Sequence, residues 1–241
     1  MVHERAIGVG GAVKPSDTLF INGEDVSKYG VLVESFTVSG TTITNAEYQG
    51  VGRTHFNLLR QFYGQRAITV SLFFSAESRH DLTLTKSKVD SLLLGKCELF
   101  LPDGFYYTAV LDTAGELSIL GREGAEVIGL CKYTLHGIQH EDMVTVLGNE
   151  VYCESTIPHT DCRLSCTASQ DYVALPVGSV IITDVSEGDE IVVDGILGRI
   201  LQNGAPCAGN MSFIHLPSLV PGENYFQCPE DLTVEYYPTF I

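Results

Sequence analysis

Hydrophobic and polar positions alternate along much of this 241-residue chain, and residues 66–75 (RAITVSLFFS) show it most clearly. Successive side chains of a strand point to opposite faces, so Ile68, Val70, Leu72 and Phe74 line one face of a predicted strand. Residues 29–38 and 42–48 read as further strands. Before them, Thr18-Leu19-Phe20-Ile21 runs into Asn22-Gly23, a pair that tolerates positive φ and marks a tight hairpin. Residues 97–101 and 105–111 form a second predicted hairpin around Pro102-Asp103-Gly104. The pattern changes period only at residues 78–94. There Leu82, Val89, Leu92 and Leu93 make a helical stripe, and Gly95 stands where a helix ends. Residues 115–124 read as a polar loop. Residues 126–135 read as a strand burying Val127, Cys131, Tyr133 and Leu135.

Past His140 short apolar runs follow one another: 144–147, 151–153, 163–168, 179–183, 190–194, 198–202, 225–228 and 232–237. Gly188, Asp194-Gly195, Asn203-Gly204 and Pro221-Gly222 punctuate them. Strands this short with turns this regular belong to an all-β sandwich. The expected class is therefore mainly β. Residues 1–16, glycine-rich and without periodicity, read as a flexible N-terminal arm. Residues 17–139 are the expected first domain, a sandwich-like β domain with one α-helix. Residues 140–241 are the second, a β-sandwich.

Charge supports that division. The formal net charge is -16. Residues 1–139 hold twelve Lys/Arg against fifteen Asp/Glu, whereas residues 140–241 hold only Arg163 and Arg199 against fifteen acids. So acidic a surface repels phosphate backbones, which argues against sequence-specific nucleic-acid binding. No apolar run reaches the ~20 residues of a membrane-spanning helix, and the opening residues lack a secretory pattern. A soluble protein made in a cytoplasm is expected. Its seven cysteines are then expected to be reduced thiols acting as small apolar side chains. Cys162 and Cys166 stand close together, but C-x3-C is not a usual zinc spacing and no second pair accompanies it. No metal and no cofactor is expected.

The chemistry of an enzyme is hard to find. The phosphate loop, the G-x-S-x-G elbow, H-E-x-x-H and the EF-hand calcium loop are all absent. Gly8-Val9-Gly10-Gly11 follows no strand and opens no helix. His136 and His140 are four apart, but at the end of a strand that spacing has no helical meaning, and both read as solvated linker residues. Cys131 alternates into the core beside Tyr133 and Leu135, where a thiol is inert. Asp189-Glu190 and Asp184/Glu187 pair carboxylates as general acid–base chemistry would, but they sit in a turn of an acidic domain. No catalytic residue is assigned.

Residues 50–63 (GVGRTHFNLLRQFY) are different. Phe56, Leu59 and Tyr63 fall at helical spacing, with Leu58 and Phe62 around the turn and Arg53, Arg60 and Arg66 interspersed. One reading is a short helix that caps its own domain. The other is a contact surface for another subunit, because aromatics and arginine concentrate at interface hot spots. The candidate interface residues are Arg53, Phe56, Leu59, Arg60, Phe62 and Tyr63.

A string of turn motifs carries a resemblance. It runs Gly188-Asp189-Glu190-Ile191-Val192-Val193-Asp194-Gly195, then Arg199-Ile200-Leu201-Gln202-Asn203-Gly204. Leu216-Pro217-Ser218-Leu219-Val220-Pro221-Gly222-Glu223-Asn224 follows, and Leu232-Thr233-Val234-Glu235-Tyr236-Tyr237-Pro238 ends it. This resembles the galectin-like C-terminal domain of the distal tail proteins of long-tailed bacteriophages. The first half agrees through Asn22-Gly23, Tyr63-Gly64-Gln65-Arg66-Ala67-Ile68, the single helix and Leu101-Pro102-Asp103-Gly104-Phe105-Tyr106-Tyr107. D-G and N-G are read here as two-residue hairpins that fix strand register.

The resemblance implies a structural virion protein. Its copies would form a homo-hexameric ring at the distal end of the tail, with the first domains in the ring and the galectin-like domains outward. The ring would join the tail tube protein to a tail-associated or baseplate hub protein, and to a receptor-binding protein in some tails. DNA would cross the lumen in transit during genome ejection, and an acidic wall would let it slide. Assembly would take place in the host cytoplasm. The alternative is a carbohydrate-binding module recognising host cell-wall glycans. Galectins stack sugars on a Trp, and this chain has none; Tyr152, Tyr172 or Tyr225 would have to serve.

Overall fold

The structure is a computed structural model that describes residues 18–49, 51–52, 54–175, 180–207, 211–226 and 231–241. The expected N-terminal arm, Arg53, Cys228 and Ser179 lie outside the described residues. The fold is mainly β, with one α-helix among the described residues. In chain order come β1 (Phe20–Ile21), β2 (Glu24–Asp25), β3 (Val31–Val38), β4 (Ile43–Tyr48), β5 (Asn57–Tyr63) and β6 (Arg66–Ala76). Helix α1 (Arg79–Leu92) precedes β7 (Lys96–Phe100), β8 (Tyr106–Ala114), β9 (Ser118–Glu123) and β10 (Glu126–His140). Then follow β11 (Val144–Leu147), β12 (Glu150–Cys153), β13 (Thr160–Thr167), β14 (Tyr172–Leu175), β15 (Val180–Thr183) and β16 (Glu190–Asp194). The last are β17 (Arg199–Gln202), β18 (Ala205–Pro206), β19 (Met211–Ser212), β20 (Ser218–Leu219), β21 (Gly222–Tyr225) and β22 (Thr233–Tyr236). Two compact units emerge, residues 1–39 with 67–137, and residues 40–66 with 138–241.

In the first unit one antiparallel sheet runs β2-β1-β7-β8-β10-β6-β3, with β9 on β10. Ile68, Val70, Leu72 and Phe74 of β6 are all buried, as their alternation predicts, and pack with Leu82 and Val89 of α1. Ser78 starts the helix: its hydroxyl accepts from the Asp81 amide at 3.2 Å and so satisfies one of the first turn's free donors. The Tyr133 hydroxyl donates to Asp90 at 2.8 Å, tying the helix to β10. Burial, reinforced by that bond, pushes the Tyr133 phenol well above its ordinary range. Asn22 and Gly23 both take positive φ and form the two-residue turn between β1 and β2. The Asn22 side chain does more than turn the chain. It donates to Leu92 O and accepts from the Glu98 amide, both at 2.9 Å, so it holds the helix end to β7.

Two expectations change here. The polar segment 115–124 contains β9, which pairs with β10 across a bulge at Ile128/Gly129. A strand exposed on both faces has no alternation to betray it. And β10 does not stop at Leu135. It runs on to His140 through Gly137, where a Cβ would lie 2.6 Å from Thr108 O, so only glycine permits the approach. His136 and His140 are therefore strand residues and not linker. His136 Nδ1 lies 2.6 Å from Asp112, whereas His140 is 4% exposed and packs edge-on against Tyr237. Cys131 is buried as expected, and burial raises its thiol.

In the second unit one sheet runs β11-β22-β13-β16-β17-β18, with β20 on β13; β12-β21 and β14-β15-β19 are smaller sheets. Its core joins Leu164, Val173, Ile182, Ile191, Val193, Leu219, Val234 and Tyr236. Cys153, Cys162, Cys166 and Cys207 fill it as free thiols, and burial pushes Cys162 up to about 12. β4 and β5 pair only with each other among the described strands.

Candidate functional site

The segment singled out as a helix or contact surface is a β-hairpin. β5 pairs antiparallel with β4, placing Ile43 opposite Tyr63, Thr44 opposite Phe62, Asn45 opposite Gln61 and Ala46 opposite Arg60. Then the register slips. Glu47 pairs with Leu58, so Leu59 is the extra residue of a bulge. That bulge explains the misreading as a helix. Inserting one residue into a period of two puts Phe56, Leu59 and Tyr63 at intervals of three and four, the signature of a helix.

Every residue of β5 is exposed. Phe56 is 59% and Leu59 67% exposed, and Leu58, Phe62, Ile43 and Tyr48 are exposed as well. Opposite residues share a face of the ribbon. One face therefore carries Ile43 and Tyr63 with Asn45 and Gln61, whose amides bond at 2.9 Å. The other carries Arg60, Phe62, Thr44 and Ala46, with the Arg60 guanidinium 5.1 Å from the centre of the Phe62 ring. The structure thus gathers Phe56, Leu59, Arg60, Phe62 and Tyr63 on one exposed hairpin. Ile43 and Tyr48 are exposed on the same hairpin, at odd and even positions of β4, and were missed, because the pairing of β4 with β5 is not visible in either segment alone.

The turn motifs of the second unit have a different character. Asp189 accepts from the Ser186 amide, Gln202 Nε2 and Asn203 Nδ2, each at 2.8 Å. These bonds, Asn203 first, hold its carboxyl below the usual range. Asn203 also accepts from the Glu190 amide at 2.9 Å, at φ 51° in a two-residue turn before β18. Of the acids that resembled acid–base pairs, Asp189 is thus a clamp between two turns. Asp194-Gly195 corrects an expectation. It does not make a two-residue hairpin, because residues 195–198 separate the partners Asp194 and Arg199. Buried Asp194 instead accepts from the Leu197 amide at 2.9 Å to hold that longer loop. Gly195 passes so close to Cys162 O and Pro217 O that a Cβ would lie 2.7 and 2.5 Å from them. Asn224 accepts from the Val220 amide at 3.0 Å and donates to Val220 O at 2.8 Å, pinning the Pro-Gly loop.

Among the described residues, no group of three or more His, Cys, Asp and Glu is placed to hold a metal ion, and no helix is long and apolar enough to cross a membrane. The three candidate sugar-stacking tyrosines are exposed. Tyr152 lies opposite Glu223 and Tyr225 opposite Glu150 in the β12–β21 ribbon, while Tyr172 stands apart in β14.

No family model matches the chain, and no curated protein matches it in sequence. Solved structures match it in fold. The SPP1 Dit protein, described as a paradigm of the hub adsorption apparatus in phages infecting Gram-positive bacteria, superposes with a TM-score of 0.66 at 14% identity. That match covers 93% of this chain and 99% of the Dit chain. A chain of the phage P2 baseplate in its activated conformation with Ca gives 0.55 at 10% identity, covering 92% of this chain and 97% of its own. The Sr form gives 0.54 at 11%, covering 91% and 97%. Over nearly its whole length, the fold of this chain is therefore that of the SPP1 Dit protein and of a chain of the phage P2 baseplate.

Proposed function

We propose that this chain is a non-enzymatic structural protein of a bacteriophage tail tip, a distal tail protein. Six copies close into a ring between the tail tube and the tail-tip or baseplate hub, and DNA crosses its lumen during ejection. The observation that carries this reading is the end-to-end likeness to the Dit chain, which leaves almost no part of either chain unmatched. The first domain, residues 17–139, makes the ring, and the β4–β5 hairpin, which lies in that stretch of sequence although it groups with the second compact unit, is the subunit contact. An isolated two-stranded ribbon is at best marginally stable in water, and this one exposes seven large apolar side chains on or beside its strands. Burial against a neighbouring copy removes both defects. Residues 140–241, with their fifteen acids, are the outward platform. Native mass measurement with negative-stain imaging tests the assignment. Sixfold rings are expected, and a strict monomer at every concentration overturns it.

One observation favours a second reading, of glycan binding. Tyr152 and Tyr225 are 66% and 63% exposed and lie diagonally on one ribbon face with Glu150 and Glu223. Aromatic faces beside carboxylates suit sugar rings and their hydroxyls. Specific signals on a glycan array, lost in Tyr152→Ala and Tyr225→Ala, would support this reading; a blank array removes it.

A further inference from the structure

A second apolar surface lies in the first unit. Leu32, Phe73 and Ile128 line a groove of about 370 Å³ together with Gly30, Ser75 and the exposed Glu123 and Glu126, which form its rim. Leu32 and Phe73 are register partners, so both side chains stand on the same face of the sheet, and Leu32 is 59% exposed. The rim is unusual. Glu123 and Glu126 are opposite each other in the β9–β10 ladder, and like charges so placed repel. Glu126 accepts from the Ser75 hydroxyl. Among the described residues no ion pair reaches Glu123, nor Arg60 of the hairpin. One chain thus carries an uncovered apolar groove edged by two carboxylates, and an uncovered apolar ribbon bearing an unpaired guanidinium.

We propose that the Arg60/Phe62 face of the β4–β5 hairpin of one copy seats in the Leu32–Phe73–Ile128 groove of the next. Phe62 fills the apolar trough, and Arg60 lies between the two rim carboxylates. The inference rests on the ring reading and names the two surfaces that meet. A second copy is the occupant because the two faces match in charge and in apolar character, and the chain supplies both. Two different patches on one chain make a head-to-tail contact, the kind that repeats around a closed ring. The rim pair then has a purpose. Two carboxylates that repel in the free subunit hold one arginine in the assembly, where planar guanidinium donors suit a pair of carboxylates.

Cross-linking between copies tests this. In the full chain carrying Cys228→Ser, Arg60→Cys and Glu123→Cys are made separately and treated with a short bis-maleimide. The native thiols described are buried, so the introduced ones react first. A mixture of the two variants is expected to give a covalent dimer that neither gives alone. Charge reversal gives a second readout: Arg60→Glu weakens self-association roughly tenfold or more, as removing one member of an interfacial pair does, and adding Glu123→Arg to the same chain restores it. Rings without a mixed dimer and without rescue overturn the groove contact while leaving the ring. If Arg60→Cys/Glu123→Cys links only within a monomer, the groove holds the chain's own hairpin and the proposal falls. No association at any concentration removes the contact and the ring together.

Discussion

Two hairpins of this chain share an architecture and differ in almost everything else. β16–β17 and β4–β5 are both antiparallel ribbons rich in apolar residues. In β16, Ile191, Val192, Val193 and Asp194 are all buried, and the polar side chains of its turns are consumed by the chain itself. In β5 nothing is buried, and Arg60 is left with an aromatic ring for company. The first hairpin is finished by its own fold. The second carries hydrophobic surface that the described residues leave exposed, and this is the surface that the proposed subunit contact would use.

The largest effect that separates the two comes from truncating the finished one. Ile191→Ala should cost about 2–5 kcal/mol of stability, the range for large-to-small changes in a packed core, and a denaturant melt would read it. A loss near zero would mean that this ribbon, too, is only loosely held. Asn203→Ala comes next, at about 1–2 kcal/mol, because alanine is strained at φ 51° and drops the bonds to Glu190 and Asp189. Asn203→Gly should recover the strain and not the bonds, so its melting temperature should fall between the two.

Acid offers a subtler probe of the same turn. The carboxyl of Asp189 is lowered from 3.8, so its bonds stabilise the fold in full above that value and are lost as the pH falls through the lower folded one. Melts taken between pH about 5 and about 3 should lose stability more steeply in the native chain than in Asp189→Asn. The smallest effect on stability belongs to the exposed hairpin. Leu59→Ser should shift the melt by no more than about 0.5 kcal/mol, yet sedimentation should show self-association weakened. A large loss of stability there would erase the contrast between the hairpins.

What the sequence disclosed follows the same division. β6, α1 and the β7–β8 hairpin were legible because burial on one side imposes a period, and Ser78, Gly95 and Asp103-Gly104 mark where it stops. The turn motifs were legible too, and the resemblance they carried agrees with the fold found. Their work was not: Asp189, Asn203 and Asn224 looked like turn formers and also clamp separate segments together, with partners fourteen residues apart for Asp189 and Asn203 and seventy-three for Asn224 and Val151. The exposed hairpin was found as a surface but misread as a helix, since the bulge at Leu59 disguised its period. The groove could not be found at all. It is assembled from β3, β6, β9 and β10, and no local pattern announces that Glu123 and Glu126 border Leu32 and Phe73.

The hairpin interrupts the chain between two strands that are themselves partners. Val38, the last residue of β3, is paired with Ile68 near the start of β6. A pull applied to the hairpin therefore enters both strands at the same end and in the same sense. They move together, so the ladder between them is not unzipped. Resistance falls on β6 against β10, where the tension runs along the strands and strains the hydrogen bonds in parallel instead of one by one. A contact made through this hairpin would be mechanically strong for a reason of topology: it is a handle fixed to two paired strands at one edge of the sheet.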